Sequence, residues 1–201
     1  MRDLATIVLA SVSPRRIELL SSLGLHVFIV PSNVDETDPP DLAPADLAVF
    51  HARAKADAVA GLEPARVIVA ADTVVDLDGR ALGKPRHEAD ARAMLAALSG
   101  REHTVHTAFA VIDGASGARL ERRSSTRVTF YPLSAEDVDR YIATGESFDK
   151  AGAYGIQGRG ATLVERIEGD FYTVMGFPLG AFVRSLPELG YRLAAPEAIA
   201  R

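Results

Sequence analysis

The chain has 201 residues, a net charge of −5 and no cysteine. Its hydrophobic content of 48% excludes a disordered protein. The acidic balance excludes a general binder of nucleic acid or acidic membranes, so any polyanion site must be local. The absence of cysteine removes disulfides, thiolate metal sites and a cysteine nucleophile from consideration. The first residues, Met-Arg-Asp-Leu, carry no signal-peptide pattern, and no apolar run reaches membrane-spanning length. A cytoplasmic protein is therefore the expectation. The length suits one substantial core, and no linker divides the chain, so a single domain over residues 1–201 is expected.

The apolar run Ile7-Val8-Leu9-Ala10 reads as a buried strand. Ser13 then Pro14 read as an N-cap followed by proline at the first helical position. Ile17, Leu20 and Leu23 supply the apolar stripe of a helix that Gly24 ends. Arg15 and Arg16 thus fall in the first helical turn, where the helix already presents partial positive charge. Each cation there costs roughly 0.3–1 kcal/mol. A capping box would put glutamate where Arg16 stands. An anion bound at the turn, phosphate above all, removes the conflict; the alternative is two solvated surface arginines.

Val27 to Val30 reads as a strand leading to the acidic loop that contains Asp35-Glu36; by itself that stretch reads first as a solvated acidic loop, although two carboxylates there could ligate Mg²⁺ or Mn²⁺. An alanine-rich helix follows, about Ala45 to Gly61. At 100° per residue, Arg53 and Asp57 lie roughly 160° from Lys55. Lys55 instead has Ala48, Ala52, Ala58 and Val59 around it, so it either extends to solvent or reaches an anion. Val67 to Ala71 is a second buried-strand run, which puts Asp72 at the C-terminal end of a strand. In α/β sheets that edge faces the ligand crevice. A carboxylate there can hold a divalent metal or act as a base on water. Val74 to Leu77 continues extended and turns at Asp78-Gly79. Lys84 follows, with Gly83 and Pro85 fixing the backbone on either side.

Glu88 to Leu98 is helical in pattern, and Ser99-Gly100 stops it. Thr104 to Ile112 and Leu120 to Phe130 read as two long strands. His103 and His106, three apart on a strand, face opposite sides and cannot share a metal. Ser134 with Asp137 begins a capping-box-like helix that ends near Gly145. The segment from Asp149 to Gly160 carries glycines at 152, 155, 158 and 160. It matches neither a phosphate loop nor a dinucleotide fingerprint. It suits close backbone approach to a ligand, with the Gln157 amide available to it. Thr162 to Ile167 reads as a last strand, and Pro178 to Leu189 as a final helix. A G-x-S-x-G nucleophile elbow is absent. The alternation of elements implies an α/β protein with a mixed sheet.

Several segments together resemble the Maf family of nucleoside triphosphate pyrophosphatases, over about Ile7 to Leu189. They include Leu9-Ala-Ser-Val-Ser-Pro-Arg-Arg16, Val34-Asp-Glu36, Lys55-Ala56, Ala71-Asp-Thr-Val-Val75 and Leu82-Gly-Lys-Pro85. They continue with Leu98-Ser-Gly100, Thr107, Asp149-Lys-Ala-Gly-Ala-Tyr-Gly-Ile-Gln157, Gly169-Asp170 and Gly176-Phe-Pro-Leu179. Each motif is short; their order and spacing make the match specific.

The resemblance implies an elongated mixed sheet flanked by helices, with a central cleft between two lobes, as in inosine triphosphate pyrophosphatases. It implies hydrolysis of a nucleoside triphosphate to monophosphate and pyrophosphate with a divalent cation, Mg²⁺, Mn²⁺ or Co²⁺. On that reading Arg15, Arg16, Lys55 and Lys84 neutralise a triphosphate, with Ser13 beside them. Asp72 orients or deprotonates water or holds the metal, and Glu36 is a metal ligand or second carboxylate. The chain is similar to the branch acting on dTTP and UTP, which carries Arg15, Thr73 and Gln157 at the corresponding places. The Gln157 carbonyl can accept from N3–H of uracil or thymine while its amide donates to a ring carbonyl. Guanine presents a similar edge, so pocket size must contribute to selection. Met175-Gly-Phe-Pro departs from the family by apolar swaps alone. A homodimer is the assembly implied, with no nucleic-acid or membrane partner. The alternatives are a purine-specific enzyme of the same chemistry and a nucleotide-binding regulator of septum formation.

Overall fold

The computed structural model describes residues 1–195. Its order is β1 (Arg2–Leu4), β2 (Thr6–Leu9), α1 (Pro14–Ser22), β3 (His26–Ile29), α2 (Pro44–Ala60), β4 (Val67–Leu77) and β5 (Arg80–Leu82). Then come α3 (Glu88–Leu98), β6 (Glu102–Asp113), β7 (Arg119–Phe130), α4 (Ala135–Ile142) and β8 (Val164–Glu168). The chain ends with α5 (Phe171–Met175), α6 (Leu179–Ser185) and β9 (Tyr191–Leu193). Seven strands form one mixed sheet in the order β3-β2-β4-β6-β7-β8, with β5 on the edge of β4. The β2 pairings are parallel, whereas β4, β6, β7 and β8 run antiparallel. The α/β class and the mixed sheet flanked by helices are as the sequence implies.

Strands β6 and β7, at 12 residues each, extend about 40 Å at roughly 3.4 Å per residue. One face of this long ribbon carries two apolar clusters in succession. The first gathers Val69 and Ala71 of β4 and Phe109 and Val111 of β6 with Leu20, Phe177 and Phe182. The second gathers Val75 and Leu77 of β4 and Val105 of β6 with Leu95, Leu98, Tyr141 and Tyr154. Between them on the same face lies the polar pair Thr73 and Thr107, directly opposite each other across the strands. The other face is covered by α2, whose Ala48, Ala52, Ala56 and Val59 pack on Ile68, Ala70, Ala108 and Ala110. Small residues let the helix lie close to the sheet, which is why its pattern reads alanine-rich.

Local signals place most elements well. Pro14 opens α1, and Ser134 with Asp137 forms a complete capping box at α4. Four details differ from the sequence reading. Ser13 occupies the N-cap position of α1, yet its hydroxyl makes no capping bond. The strand expected to stop at Ala71 runs on to Leu77, because β6 pairs with it continuously from Val67 to Asp76. Asp72 is therefore inside a strand and not at its end. The final helix divides into α6 and a 3₁₀ turn, Leu186–Leu189, that contains Pro187, which lacks the N–H an α-helix would need there. Finally, β1, β9 and the five-residue α5 escape the sequence pattern. Strands of three residues are too short to show a period, and β1 and β9 pair only with each other.

His103 and His106 face opposite sides of β6. His106 meets Ser125 Oγ at 2.8 Å and Asp76 Oδ2 at 3.3 Å. His103 is buried against Phe130 and Tyr154, and its Nε2 lies 2.7 Å from the Tyr154 hydroxyl. It thereby anchors the glycine-rich segment to the sheet. Burial pushes the imidazole down from 6.5 to about 4. The unfolded chain takes up this proton near its ordinary pKa, whereas the folded chain does so only near the lowered one. Stability is thus complete above pH 6.5 and falls as pH drops toward 4, by up to about 3 kcal/mol. Urea unfolding across this window should record that loss, and His103→Gln should flatten it.

Candidate active site

Strand β4 changes partners along one edge. It pairs with β2 at Ile68 and Val69, and with β5 from Val75 to Leu77. The intervening edge carries neither neighbour, and a cavity of about 410 Å³ opens there. Ser13, Arg15, Arg16, Glu36, Lys55, Asp72, Thr73, Lys84 and Gln157 all line it. The fold thus brings together every site residue expected from the sequence. Asp72 and Thr73 are consecutive on β4 and point to opposite faces, one toward α2 and the other toward α1.

On the α2 side, Lys55 Nζ donates to Asp72 Oδ1 at 2.7 Å and lies 2.8 Å from Glu36 Oε1. The Lys55 side chain is only 7% exposed, that of Asp72 13%, and that of Glu36 52%. The anion that Lys55 reaches is thus a pair of the protein's own carboxylates. Burial opposes ionisation of Glu36, but the Lys55 hydrogen bond and the charges of Lys55 and Lys84 hold its carboxyl below the usual range. Of the two neighbouring acids, only Glu36 lines the cavity. Asp35 Oδ1 instead accepts from the backbone and hydroxyl of Thr37 at 3.0 and 2.7 Å.

On the α1 side, Arg16 donates to Gly176 O at 3.0 Å, Ser11 Oγ at 3.3 Å and Thr73 Oγ1 at 3.1 Å. All three acceptors are neutral. Burial lowers the Arg16 pKa, with the charge of Asp72 acting against that. A half-buried guanidinium with no carboxylate partner among the described residues is suited to receive an anion. Arg15 at the rim donates to Asp149 Oδ2 at 2.9 Å and so links α1 to the glycine-rich segment. Lys84 and Gln157 are exposed at the rim. Lys84 makes no ion pair among the described residues.

Two residues escaped the sequence reading. His51, one turn before Lys55 on the same helix face, is buried, and its Nε2 lies 2.8 Å from Asp38 Oδ1. Both line the cavity, and the pair ties the acidic loop to α2 beside Glu36. The spacing of four residues from Lys55 was the available signal.

A hard cation that keeps several waters needs only one or two protein carboxylates. Asp72 and Glu36, brought together on Lys55 Nζ, supply that donor chemistry. Among the described residues, no group of three or more histidine or acidic side chains is arranged around a metal position.

The family model "Maf-like protein" matches residues 6–189. The chain belongs to the Maf family. Among its Maf relatives, the dTTP/UTP pyrophosphatase of Moorella thermoacetica is 50% identical over 88% of this chain and 91% of that one. The dTTP/UTP pyrophosphatase of Pelotomaculum thermopropionicum is 46% identical over 93% of this chain and 98% of that one. A solved HAM1 protein from Coxiella burnetii is 19% identical, with a TM-score of 0.42 over 63% of this chain and 73% of that one.

Replacing Lys55 with methionine keeps the buried stem and removes the charge. Burial and the nearby Asp72 carboxylate would then act on Glu36 unopposed by Lys55. Carboxyl NMR titration should show the Glu36 pKa rising in Lys55→Met.

Proposed function

We propose that this Maf protein hydrolyses dTTP, UTP and related pyrimidine nucleoside triphosphates to the monophosphate and pyrophosphate. The observation that carries this reading is Arg16, a half-buried cation whose hydrogen bonds among the described residues all go to neutral acceptors. It stands across β4 from the Lys55–Asp72–Glu36 cluster. The names of the relatives support the choice of substrate.

Arg16 holds the triphosphate, with Arg15 and Lys84 joining from the rim and the Ser13 hydroxyl free to donate. Water attacks the α-phosphorus. A new O–P bond forms at the α-phosphorus, the bond from the α-phosphorus to the α–β bridging oxygen breaks, and pyrophosphate leaves with that oxygen. Asp72 orients the water and takes its proton on the oxygen that Lys55 does not hold. Lys55 holds the Asp72 and Glu36 carboxylates close together. Asp72 and Glu36 would hold the divalent cation, Mg²⁺, Mn²⁺ or Co²⁺, which when bound stabilises charge on the phosphate oxygens. Gln157 reads the base edge and Arg15 assists it. The chain works as one catalytic domain, clearing noncanonical nucleotides in the cytoplasm, and a homodimer is its expected assembly. No helix among the described residues is long and apolar enough to cross a membrane.

Asp72→Asn should reduce pyrophosphate release from dTTP and UTP by about 100-fold or more while the chain still folds, as judged by its circular dichroism. Near-normal turnover in that variant would remove the role given to Asp72. Release of phosphate without pyrophosphate by the wild type would overturn the reaction itself. EDTA should stop turnover, and added Mg²⁺ or Mn²⁺ should restore it.

A further inference from the structure

The rung between the two apolar clusters has a fixed hydrogen-bond direction. Thr107 is fully buried, and its Oγ1 lies 2.7 Å from the carbonyl oxygen of Thr173. A carbonyl only accepts, so Thr107 gives its single hydroxyl proton there. The Thr73 and Thr107 hydroxyl oxygens are 2.9 Å apart. With the Thr107 proton committed, Thr73 is the donor in that contact. Arg16 has only donors, and its Nη2 lies 3.1 Å from Thr73 Oγ1. Thr73 therefore accepts from Arg16 and gives its own proton to Thr107. One lone pair of the Thr73 oxygen remains, on a side chain that lines the cavity.

The consequence concerns which part of a ligand can sit there. A phosphate oxygen is an acceptor and would meet a second acceptor with no proton between them. An N–H or O–H group finds a partner. We propose that Thr107 is a positioning residue that locks the Thr73 hydroxyl as an acceptor, and so assigns this point of the cleft to a donor of the substrate's nucleoside half. That donor is the imide N–H of uracil or thymine or a sugar hydroxyl. Arg16, whose other hydrogen bonds go to Ser11 and Gly176, then marks the boundary between the nucleoside and phosphate halves. The inference rests on the pyrimidine nucleotide reading given above.

The test compares dTTP turnover with competitive inhibition by inorganic triphosphate, which has no nucleoside. Pyrophosphate release from dTTP by the wild type is measured first, and its absence would remove the functional reading itself. In Thr107→Val the Thr73 proton is released, and its hydroxyl can turn to donate into the cleft. The KM for dTTP should rise about three- to tenfold with kcat little changed, as for loss of one hydrogen bond. Inhibition by inorganic triphosphate should not weaken. Thr107→Ser keeps both bonds and should restore the wild-type KM. Thr73→Val leaves Thr107 intact and should reproduce the same split, which provides the measurement if Thr107→Val does not fold. N3-methyl-dTTP and 2′,3′-dideoxythymidine triphosphate identify the donor. The analogue lacking it should already show the raised KM in the wild type and gain no further rise in Thr73→Val. Equal weakening of dTTP and inorganic triphosphate would overturn the inference, as would an unchanged KM for dTTP.

Discussion

The partner change along β4 is the constraint on which the rest of the site depends. A strand paired on both edges would hide its backbone and present only alternating faces. Here β2 leaves the edge after Val69, and β5 takes it up at Val75. The other edge stays paired with β6 from Val67 to Asp76, so the strand continues across the gap. Period-two alternation then sends Asp72 to one side and Thr73 to the other. One short interval of a single strand thus offers a carboxylate to α2 and a hydroxyl to α1. Lys55 and Arg16 reach it from helices on opposite faces of the sheet.

The electrostatics of the two sides differ in kind. Lys55 is almost withdrawn from water, but it has two carboxylates within hydrogen-bond distance. Its cost of burial is offset within the protein, and the cluster carries a net negative charge suited to a cation. Arg16 has no such partner among the described residues. Its three contacts are a carbonyl and two hydroxyls, which satisfy its geometry without neutralising its charge. The cleft therefore holds a cation-accepting cluster and an anion-accepting guanidinium side by side. A metal-bound polyphosphate carries both complements. The chain carries a net charge of −5, yet Arg15, Arg16, Lys55 and Lys84 gather around one cavity and make that place locally cationic.

The second apolar cluster does more than stabilise the fold. Tyr154 belongs to it, and the hydroxyl of Tyr154 meets His103. The Tyr141 hydroxyl accepts from the Gly155 backbone at 3.1 Å. Gly152 adopts φ +67, and a side chain there would crowd Val75 at 3.1 Å. The segment from Asp149 to Gly160 is accordingly held against the sheet, with Gln157 left exposed at the cavity. The exposed rim residue Gln157 is thus supported by packing beneath its segment, and Gly152 allows the close approach to β4.

Much of this molecule is written in local sequence. Pro14 begins α1, Ser134 and Asp137 begin α4, and the spacing around Lys55 marks it as unlike its charged neighbours. Those features depend on residues within a few positions of one another, so periodicity and capping rules reach them. The motif order also identified the family and its nine candidate site residues. What sequence could not supply was set by distant pairings. Strand β4 passes through Asp72 because β6, some thirty residues later, pairs with it. Strands β1 and β9 exist because the two ends of the fold meet. The partner of His51 lies in a loop with no regular pattern. The direction of the Thr73 hydroxyl depends on a carbonyl a hundred residues away in sequence. The residues that could do chemistry were determined by the sequence alone. Which atoms they offer was decided only by tertiary structure, because a hydrogen bond takes its direction from whatever partner folding places beside it.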